Sequence, residues 1–260
     1  MPRQRLPTGP PDFVGVGTQR SGTTWWFRLL VSHPGIRAPR RRRKELHFFD
    51  RFCTREMQDS DIKRYHRLFP RADGQIVGEW TPRYMRDVWT PLLLQRAAPR
   101  AKLLVLLRDP IERFRSGVPH RMTRNPRLTH EMLAIDAFER SRYAVQLRRV
   151  REFFDEEQIL VLQYERCRLD PLGEYGRTLR FLGAAPDHEP EELERLRGTT
   201  MASKKEPLWR DLELALRTAL EPDVEQLCEL VPGLQLELWP NFAHLAAGVE
   251  RHPRSESRVG

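Results

Sequence analysis

The amino-acid sequence predicts a single α/β domain of three layers, in which helices flank a central, mainly parallel sheet. The first observation is a set of short apolar runs without polar alternation, at Phe13–Gly17, Lys102–Leu107 and Ile159–Gln163. Such runs are typical of strands that are covered on both faces. The second observation is that helical stretches separate these runs. The third is a glycine-containing loop that directly follows the first run and opens a helix.

The boundaries of the elements come from local signals. The helix after the first strand is predicted to begin at Ser21, capped by hydroxyl side chains, and to end near Pro34. Pro110 suits the first turn of a later helix, where its missing N–H costs nothing. In chain order the predicted elements are the strand Phe13–Gly17, the helix Ser21–Val31, the strands Gln75–Trp80 and Lys102–Leu107, the helix Ile111–Met122, the helical stretch Asp136–Phe154, the strand Ile159–Gln163 and the helices Leu212–Leu220 and Val224–Leu230.

Composition limits the class of protein and its partners. Hydrophobic residues make up 39% and charged residues 31%, which is typical of a globular chain rather than a disordered one. We expect one domain over residues 11–245, a disordered segment at residues 1–10 and a polar, flexible tail at residues 246–260. The net charge of +9 favours polyanionic partners, and the basic run Arg40–Lys44 is either a solvated face or an entrance for a polyanion.

The cysteines and the start of the chain indicate the compartment. Cys53, Cys167 and Cys228 are far apart and form no CxxC pair, so we expect neither a disulfide framework nor a metal site. No apolar stretch follows the basic residues at the N-terminus, so a signal peptide is not expected. The apolar run Leu103–Leu107 is far shorter than the about 20 residues that span a bilayer. These features predict a cytoplasmic protein without a membrane span.

The loop Gly17–Thr24 is P-loop-like and predicts phosphate binding. Backbone N–H groups at a helix N-terminus, together with the helix dipole, favour an anion. Gly17 and Gly22 allow a tight turn and a close approach of the backbone to phosphate. The side chains that can add contacts are Gln19, Arg20, Ser21, Thr23 and Thr24.

Three other interpretations of these features are open at this point. The loop is nearly a Walker A motif, and a P-loop kinase or nucleotide hydrolase would also place it here; however, Thr23 occupies the position of the Walker lysine. An N-capped helix that binds no ligand is the second. A basic nucleic-acid-binding protein, suggested by the net charge of +9, is the third, and it gives no reason for the loop.

Several segments together resemble the sulfotransferases that use 3′-phosphoadenosine 5′-phosphosulfate (PAPS). Gln19–Trp25, QRSGTTW, is similar to the family's phosphosulfate loop, and Arg108–Ser116 is similar to its R-x-P-x-x-R-x-x-S segment. Lys44–Phe49 matches the K-E-x-x-F-F segment of glycosaminoglycan-type members, and Gly78–Tyr84 is like G-E-x-[ST]-P-x-Y. The resemblance implies transfer of a sulfuryl group from PAPS to an acceptor hydroxyl of a carbohydrate, lipid or metabolite, without a metal and without nucleic acid as a partner.

The resemblance also implies roles for the donor-binding residues. Arg20 is expected to contact the 5′-phosphosulfate and to stabilise the leaving group by its fixed charge, since arginine cannot donate a proton. Arg108 and Ser116 are expected to bind the 3′-phosphate. The competing interpretation of Arg108 is a surface ion pair with Asp109 or Glu112.

The acceptor hydroxyl needs a general base. By resemblance Glu45 is the first candidate, with Lys44 keeping it ionised or contacting the sulfuryl group. His47 is the rival, because imidazole titrates near neutral pH, and His120 is a weaker third candidate. The adjacent Phe48 and Phe49 are expected to pack rather than react, and the pair Lys204–Lys205 lies where the family often has a loop over the nucleotide.

Overall fold

The computed structural model describes residues 6–40, 44–124, 129–190, 193 and 208–246, with the backbone alone for residues 119–124 and 130. In this part of the chain one five-stranded parallel sheet lies at the centre, in the order β2-β3-β1-β4-β5. The strands are β1 Phe13–Gly17, β2 Ile36–Arg37, β3 Ile76–Trp80, β4 Lys102–Leu107 and β5 Ile159–Gln163. The helices are α1 Thr23–Ser32, α2 Asp59–His66, α3 Thr90–Ala97, α4 Pro110–Arg124, α5 His130–Glu139, α6 Tyr143–Arg151, α7 Tyr164–Leu169, α8 Pro171–Leu182 and α9 Arg210–Leu230.

Both faces of the sheet are covered. In β4, Leu103 and Val105 enter one hydrophobic core, whereas Leu104 and Leu106 enter the other. Helices α1 and α8 pack on the second core, and α3, α4, α6 and α9 pack on the first. Because β4 is buried on both sides, its sequence is continuously apolar from Leu103 to Leu107. The predicted three-layer α/β arrangement is confirmed.

The predicted strands agree closely with the structure. Strands β1, β4 and β5 have the predicted bounds, and β3 begins at Ile76 instead of Gln75. Helix α4 is longer than predicted and begins at Pro110 itself. Strand β2 has only two residues, too few for a periodic signal, and it was not predicted. Helices α2, α3, α7 and α8 were not predicted either.

The predicted helical stretch over residues 136–154 is helical for the most part, but it consists of two helices, α5 and α6. The break lies at Ser141, whose hydroxyl donates to the carbonyl oxygen of Ala137 at 3.2 Å. The carboxylate of Asp223 then accepts the backbone N–H groups of Ala144 at 3.0 Å and Val145 at 3.3 Å. A carboxylate at this position satisfies first-turn donors that a new helix leaves without intrahelical partners.

The two predicted C-terminal helices are a single helix, α9, with Pro222 inside it. The predicted gap between Leu220 and Val224 does not occur. The buried side chains of Leu216, Leu220, Val224 and Leu227 form one stripe that crosses the proline. Burial of this stripe against the core outweighs the hydrogen bond that proline removes.

The crevice at the carboxyl ends of β1 and β4 is where the topology predicts a ligand. Strands β3 and β2 lie on one side of β1 and strands β4 and β5 on the other, so the chain order reverses between β1 and β4. Ligands of open α/β sheets bind at such a switch point. The loop after Gly17 and the segment that begins at Arg108 both start there.

The predicted domain limits stay a prediction. Thr8, inside the segment expected to be disordered, forms an antiparallel bridge with Pro70, while residues 1–5 and 247–260 lie outside the described residues. Cys53, Cys167 and Cys228 are free thiols. None of the helices in the described part of the chain combines the length and the hydrophobicity needed to cross a bilayer.

Candidate functional site

The loop after β1 presents backbone donors at the start of α1. Gly22 is the N-cap residue, with a φ of 83°, and no side chain caps the helix. The predicted hydroxyl cap is therefore wrong. The hydroxyl of Ser21 instead lies 2.6 Å from the Thr18 hydroxyl, which itself donates to the carbonyl oxygen of Leu106 at 2.9 Å. Ser21 and Thr18 thus fasten the loop to β4, and the first turn of α1 keeps its N–H groups for an anion.

Gly22 is required by its surroundings as well as by its backbone. A Cβ atom at this position would lie 2.7 Å from two ring carbons of Tyr164. The same ring lies 5.2 Å from the guanidinium carbon of Arg108. Tyr164, which follows β5, thus contacts both the loop and the arginine at the end of β4. It packs the two parts of the crevice against each other.

Arg20 contacts Arg108 and Ser116, which lie 88 and 96 residues further along the chain. Nε of Arg20 donates to Oγ of Ser116 at 3.0 Å, and Nη1 of Arg108 donates to the carbonyl oxygen of Arg20, also at 3.0 Å. Two guanidinium groups and a hydroxyl therefore line the crevice beside the uncapped helix. Such a cluster suits an anion with several phosphate or sulfate oxygens.

The competing interpretation of Arg108 is also partly observed. Its Nη2 lies 3.4 Å from the carboxylate of Glu112, so an ion pair exists beside the hydrogen bond to Arg20. Asp109 has a different function. It accepts the backbone N–H groups of Ile111 and Glu112 at the start of α4 and the side-chain amide of Asn241.

Lys44 connects the donor loop to the candidate base. Its Nζ donates to Oγ1 of Thr23 at 3.2 Å and to Oε1 of Glu45 at 2.8 Å. Burial lowers the pKa of Lys44, and the neighbouring carboxylate of Glu45 opposes that shift. Thr23 occupies the position of the Walker lysine. In this chain the ammonium group of Lys44, from a different segment, lies next to that position.

Glu45, His47 and Asp50 form a hydrogen-bonded chain. Nε2 of His47 lies 3.3 Å from Oε2 of Glu45, and its Nδ1 lies 3.1 Å from Oδ2 of Asp50. The hydrogen bonds to Asp50 and Glu45 raise the pKa of His47 to about 9. Burial favours a higher pKa for Glu45, but the hydrogen bond from His47 and the charge of Lys44 outweigh it, and the pKa is lowered to about 2. At neutral pH the pair is an imidazolium beside a carboxylate.

A buried polar network supports the backbone of residues 46–48. Glu79 is fully buried and accepts hydrogen bonds from Thr81 at 2.6 Å, Tyr65 at 2.8 Å and Tyr84 at 3.3 Å. The hydroxyl of Thr81 accepts the N–H of Leu46 at 3.1 Å, and the hydroxyl of Tyr84 accepts the N–H of Phe48 at 2.9 Å. Burial raises the pKa of Glu79 to about 7.

Strained backbone occurs in both parts of the crevice. Among the described residues, the non-glycine residues with positive φ are Arg20, at 69°, and His47, at 49°. Such conformations cost about 1–3 kcal/mol each and persist where the surrounding contacts fix them. One of these residues lies in the phosphate loop and the other beside the candidate base.

Comparison with known proteins identifies the family. Residues 10–210 match the family described as the sulfotransferase domain. The chain belongs to this sulfotransferase family. Family membership implies PAPS as the sulfate donor, and the kinase, hydrolase and nucleic-acid-binding alternatives are not favoured.

Individual sulfotransferases agree with this assignment. Heparan sulfate glucosamine 3-O-sulfotransferase 3B1 of Homo sapiens is 32% identical over 187 residues, which cover 66% of this chain and 46% of that protein. Heparan sulfate glucosamine 3-O-sulfotransferase 6 of Mus musculus is 32% identical over 186 residues, 66% of this chain and 52% of that protein. The chain thus spans about half the length of the curated relatives it matches.

Solved sulfotransferase structures have the same fold. The sulfotransferase from Alicyclobacillus acidocaldarius superposes with a TM-score of 0.68 at 27% identity and covers 85% of this chain and 96% of its own. The sulfotransferase domain from the curacin biosynthetic pathway has a TM-score of 0.53 at 14% identity, covers 96% of this chain and 100% of its own, and shows the fold alone.

Some of the residues predicted for the site of this sulfotransferase make no side-chain hydrogen bond or lie outside the described residues. Thr24 is exposed, and within the described residues Gln19 makes no side-chain hydrogen bond. The side chain of His120, the run 41–43 and the pair Lys204–Lys205 lie outside the described residues. Phe48 and Phe49 are buried, as expected for packing residues. Among the described residues, no group of three or more His, Cys, Asp or Glu side chains could hold a metal ion.

Some residues of the site were not predicted from the sequence. Asp50 was one, although its position three residues after His47 was a usable signal. Glu79, Thr81 and Tyr84 were noted as a matching segment, but no pattern in the sequence says that they support the backbone of residues 46–48. Tyr164 was missed because nothing local distinguishes a tyrosine at a strand end from a core residue.

Proposed function

We propose that this sulfotransferase transfers the sulfuryl group of PAPS to a hydroxyl group of a carbohydrate, with Glu45 as the general base. The observation that carries the proposal is the position of Lys44. Its ammonium group contacts the first turn after the phosphate loop, at Thr23, and the carboxylate of Glu45. Donor site and base are therefore separated by one side chain, as an in-line displacement requires.

On the donor side, charged groups are aimed at the parts of PAPS where negative charge resides. Arg108 and Ser116 bind the 3′-phosphate, and Arg20 with the N-terminus of α1 binds the 5′-phosphosulfate. The bond between sulfur and the bridging oxygen breaks, and adenosine 3′,5′-bisphosphate leaves with the electron pair. The fixed charges of Arg20 and Lys44 stabilise that leaving group without any change in the protein. No metal ion takes part in this proposal.

On the acceptor side, the protonation states favour Glu45 over His47 as the base. With a pKa of about 9, His47 is protonated at neutral pH and has no lone pair to accept a proton. Glu45 is ionised, since its pKa is lowered to about 2. The acceptor oxygen attacks sulfur while its proton passes to Glu45, and the imidazolium held by Asp50 orients that carboxylate.

A carbohydrate is the acceptor class that the relatives favour. The curated relatives at 32% identity are named as heparan sulfate glucosamine sulfotransferases. The segment Lys44–Phe49, which carries the base, also resembles the glycosaminoglycan-type members. Lipids and small metabolites are the remaining acceptor classes. The cytoplasmic location expected from the sequence stays a prediction.

The test separates donor binding from transfer. Calorimetric titration with adenosine 3′,5′-bisphosphate should show binding to wild type, and binding weakened at least about tenfold for Arg108→Ala and Ser116→Ala, because charge-assisted hydrogen bonds are lost. Glu45→Gln should bind the nucleotide as wild type does, yet transfer sulfate from PAPS to an oligosaccharide about 10²–10⁴ times more slowly. The proposal fails if wild type does not bind the nucleotide, or if Glu45→Gln keeps its turnover.

A further inference from the structure

A surface pocket of about 340 Å³ is lined by residues that belong neither to the donor crevice nor to the segment 44–50. Its walls come from the segment after β3, including Arg86 and Trp89, from Glu139 at the end of α5, and from α6 with the residue before it, including Arg142 and Arg149. The volume is within the lower part of the range of small-molecule sites. None of these residues has a role in the proposed transfer.

The pocket adjoins the acceptor side of the site through Arg83 and Trp89. Nε of Arg83 donates to Oδ2 of Asp87, a lining residue, at 2.7 Å, and its Nη1 lies 3.8 Å from Oδ2 of Asp50. Asp50 is the residue that holds His47. Nε1 of Trp89 donates to the carbonyl oxygen of Phe49 at 3.1 Å. One layer of side chains therefore separates the pocket from the segment that carries Glu45.

Most charged side chains that line the pocket are paired with an opposite charge, and Arg149 is the exception among the described residues. Arg86 is engaged with Asp136 at 3.0 Å, and Asp87 is neutralised by Arg83. Arg142 pairs with Glu139 at 3.4 Å, but both side chains are exposed, so the pair contributes little. Arg149 donates to the carbonyl oxygen of Arg86 at 3.2 Å and, within the described residues, has no carboxylate within ion-pair distance.

Arg142, the N-cap residue of α6, and Arg149, on the helix itself, both line the pocket. Trp89 is partly buried, its indole N–H is already engaged with Phe49, and it offers a ring to the pocket. Two guanidinium groups beside an aromatic ring suit a ligand that has both an anionic group and an apolar face. A sugar ring with a carboxylate or a sulfate has this combination.

We propose that this pocket binds an anionic sugar unit of the acceptor, with Arg149 and Arg142 on its carboxylate or sulfate and Trp89 against the ring. The inference rests on the proposed function, since it assigns a substrate class to the same site. The unit bound here belongs to the same acceptor chain as the sugar whose hydroxyl reacts, and the layer that contains Arg83 and Trp89 lies between the two. The pocket therefore selects charged polysaccharides over neutral ones without contacting the reacting atoms.

The test measures binding of three probes to protein saturated with adenosine 3′,5′-bisphosphate. A heparan sulfate oligosaccharide carries carboxylates and sulfates, a hyaluronan oligosaccharide carries carboxylates alone, and a chitin oligosaccharide is neutral. Arg149→Gln should weaken binding of the heparan sulfate probe at least about tenfold, and Arg142→Gln combined with it should weaken binding further. Arg148→Gln is the matched control, since Arg148 lies on the same helix outside the pocket and contacts Gln226.

The outcomes are distinct. A loss at Arg149 for both anionic probes identifies a carboxylate ligand, and a loss for heparan sulfate alone identifies a sulfate. The inference is overturned if wild type prefers neither anionic probe to chitin, or if Arg148→Gln weakens binding as much as Arg149→Gln. Retained turnover of Glu45→Gln would instead contradict the proposed chemistry, while the binding result at Arg149 would stand.

Discussion

The two parts of the crevice are built in different ways. The donor half, defined as the loop Gly17–Thr24 with Arg108 and Ser116, depends on main-chain geometry at the ends of two strands. The acceptor half, defined as residues 44–50, depends on side chains more than 30 residues away in the chain, above all Thr81 and Tyr84. The donor half should therefore be damaged most by changes in backbone conformation. The acceptor half should be damaged by the loss of single buried hydroxyls.

The largest effect is expected for Gly22→Ala in the donor half. The φ of 83° is strained for alanine by about 1–2 kcal/mol, and the added Cβ would displace the ring of Tyr164 that packs on Arg108. We expect the affinity for adenosine 3′,5′-bisphosphate, measured by calorimetry, to fall about a hundredfold. Gly183→Ala is the control, because it has the same φ and no neighbouring atom within 4 Å. Equal nucleotide affinities for the two variants would contradict the prediction.

An intermediate effect is expected for Tyr84→Phe in the acceptor half. This change leaves the N–H of Phe48 without its partner and removes one donor from Glu79, at a cost of about 1–3 kcal/mol in stability. Because the segment next to Glu45 loses a support, we expect kcat to fall about tenfold while nucleotide affinity is unchanged.

Tyr65→Phe is the matched control for Tyr84→Phe. Tyr65 is equally buried and also donates to Glu79, but its hydroxyl accepts no hydrogen bond from the backbone of residues 46–48. It should lower stability by a similar amount, measured by urea unfolding, and leave kcat within about twofold of wild type. A parallel loss of kcat in both variants would mean that stability alone, and not the position of the segment, sets the rate.

The smallest effect is expected from pH. With Glu45 as base and a pKa of about 2, kcat should be nearly constant from about pH 6 to about pH 8. A base of pKa about 9 would instead give a tenfold rise per pH unit over that range, which would assign the function to His47. Because burial raises the pKa of Glu79 to about 7, the profile should be repeated in Glu79→Gln, which removes that titration.

His47 and Glu45 also make the stability of the fold depend on pH, in opposite directions. The raised pKa of His47 stabilises the fold below its ordinary value of 6.5, and that contribution is lost as pH rises through about 9. The lowered pKa of Glu45 stabilises the fold above its ordinary value of 4.5, and that contribution is lost as pH falls towards 2.

The donor half could be predicted from the sequence to a greater extent than the acceptor half. The motifs gave Arg20, Arg108 and Ser116, and the structure brings them together because parallel strands end at one edge of the sheet. The hydroxyl cap at Ser21 was wrong, since its hydroxyl bonds to Thr18, a long-range consequence of β4 lying next to β1. Whether these residues bind PAPS stays a prediction.

For the acceptor half, the sequence motif predicts the residues but not their charge states. Lys44, Glu45 and His47 could be predicted by resemblance, but their charge states depend on Asp50 and on burial. Among the elements of the fold, strongly apolar runs such as Lys102–Leu107 were predicted without error. The helices whose bounds were predicted incorrectly are those that depend on tertiary contacts. The start of α6 depends on Asp223, and the continuity of α9 depends on its buried stripe across Pro222.

The C-terminal contacts of Asp109 have a consequence for the order of events during synthesis. The family match ends at residue 210, yet Asn241 donates its backbone N–H and its side-chain amide to Asp109, and Trp239 donates to Glu165. Asp109 directly follows Arg108. The end of β4 therefore reaches its final arrangement only after residue 241 has left the ribosome. Until then a nascent chain carries every motif of the donor half without the two hydrogen bonds that Asn241 donates to Asp109.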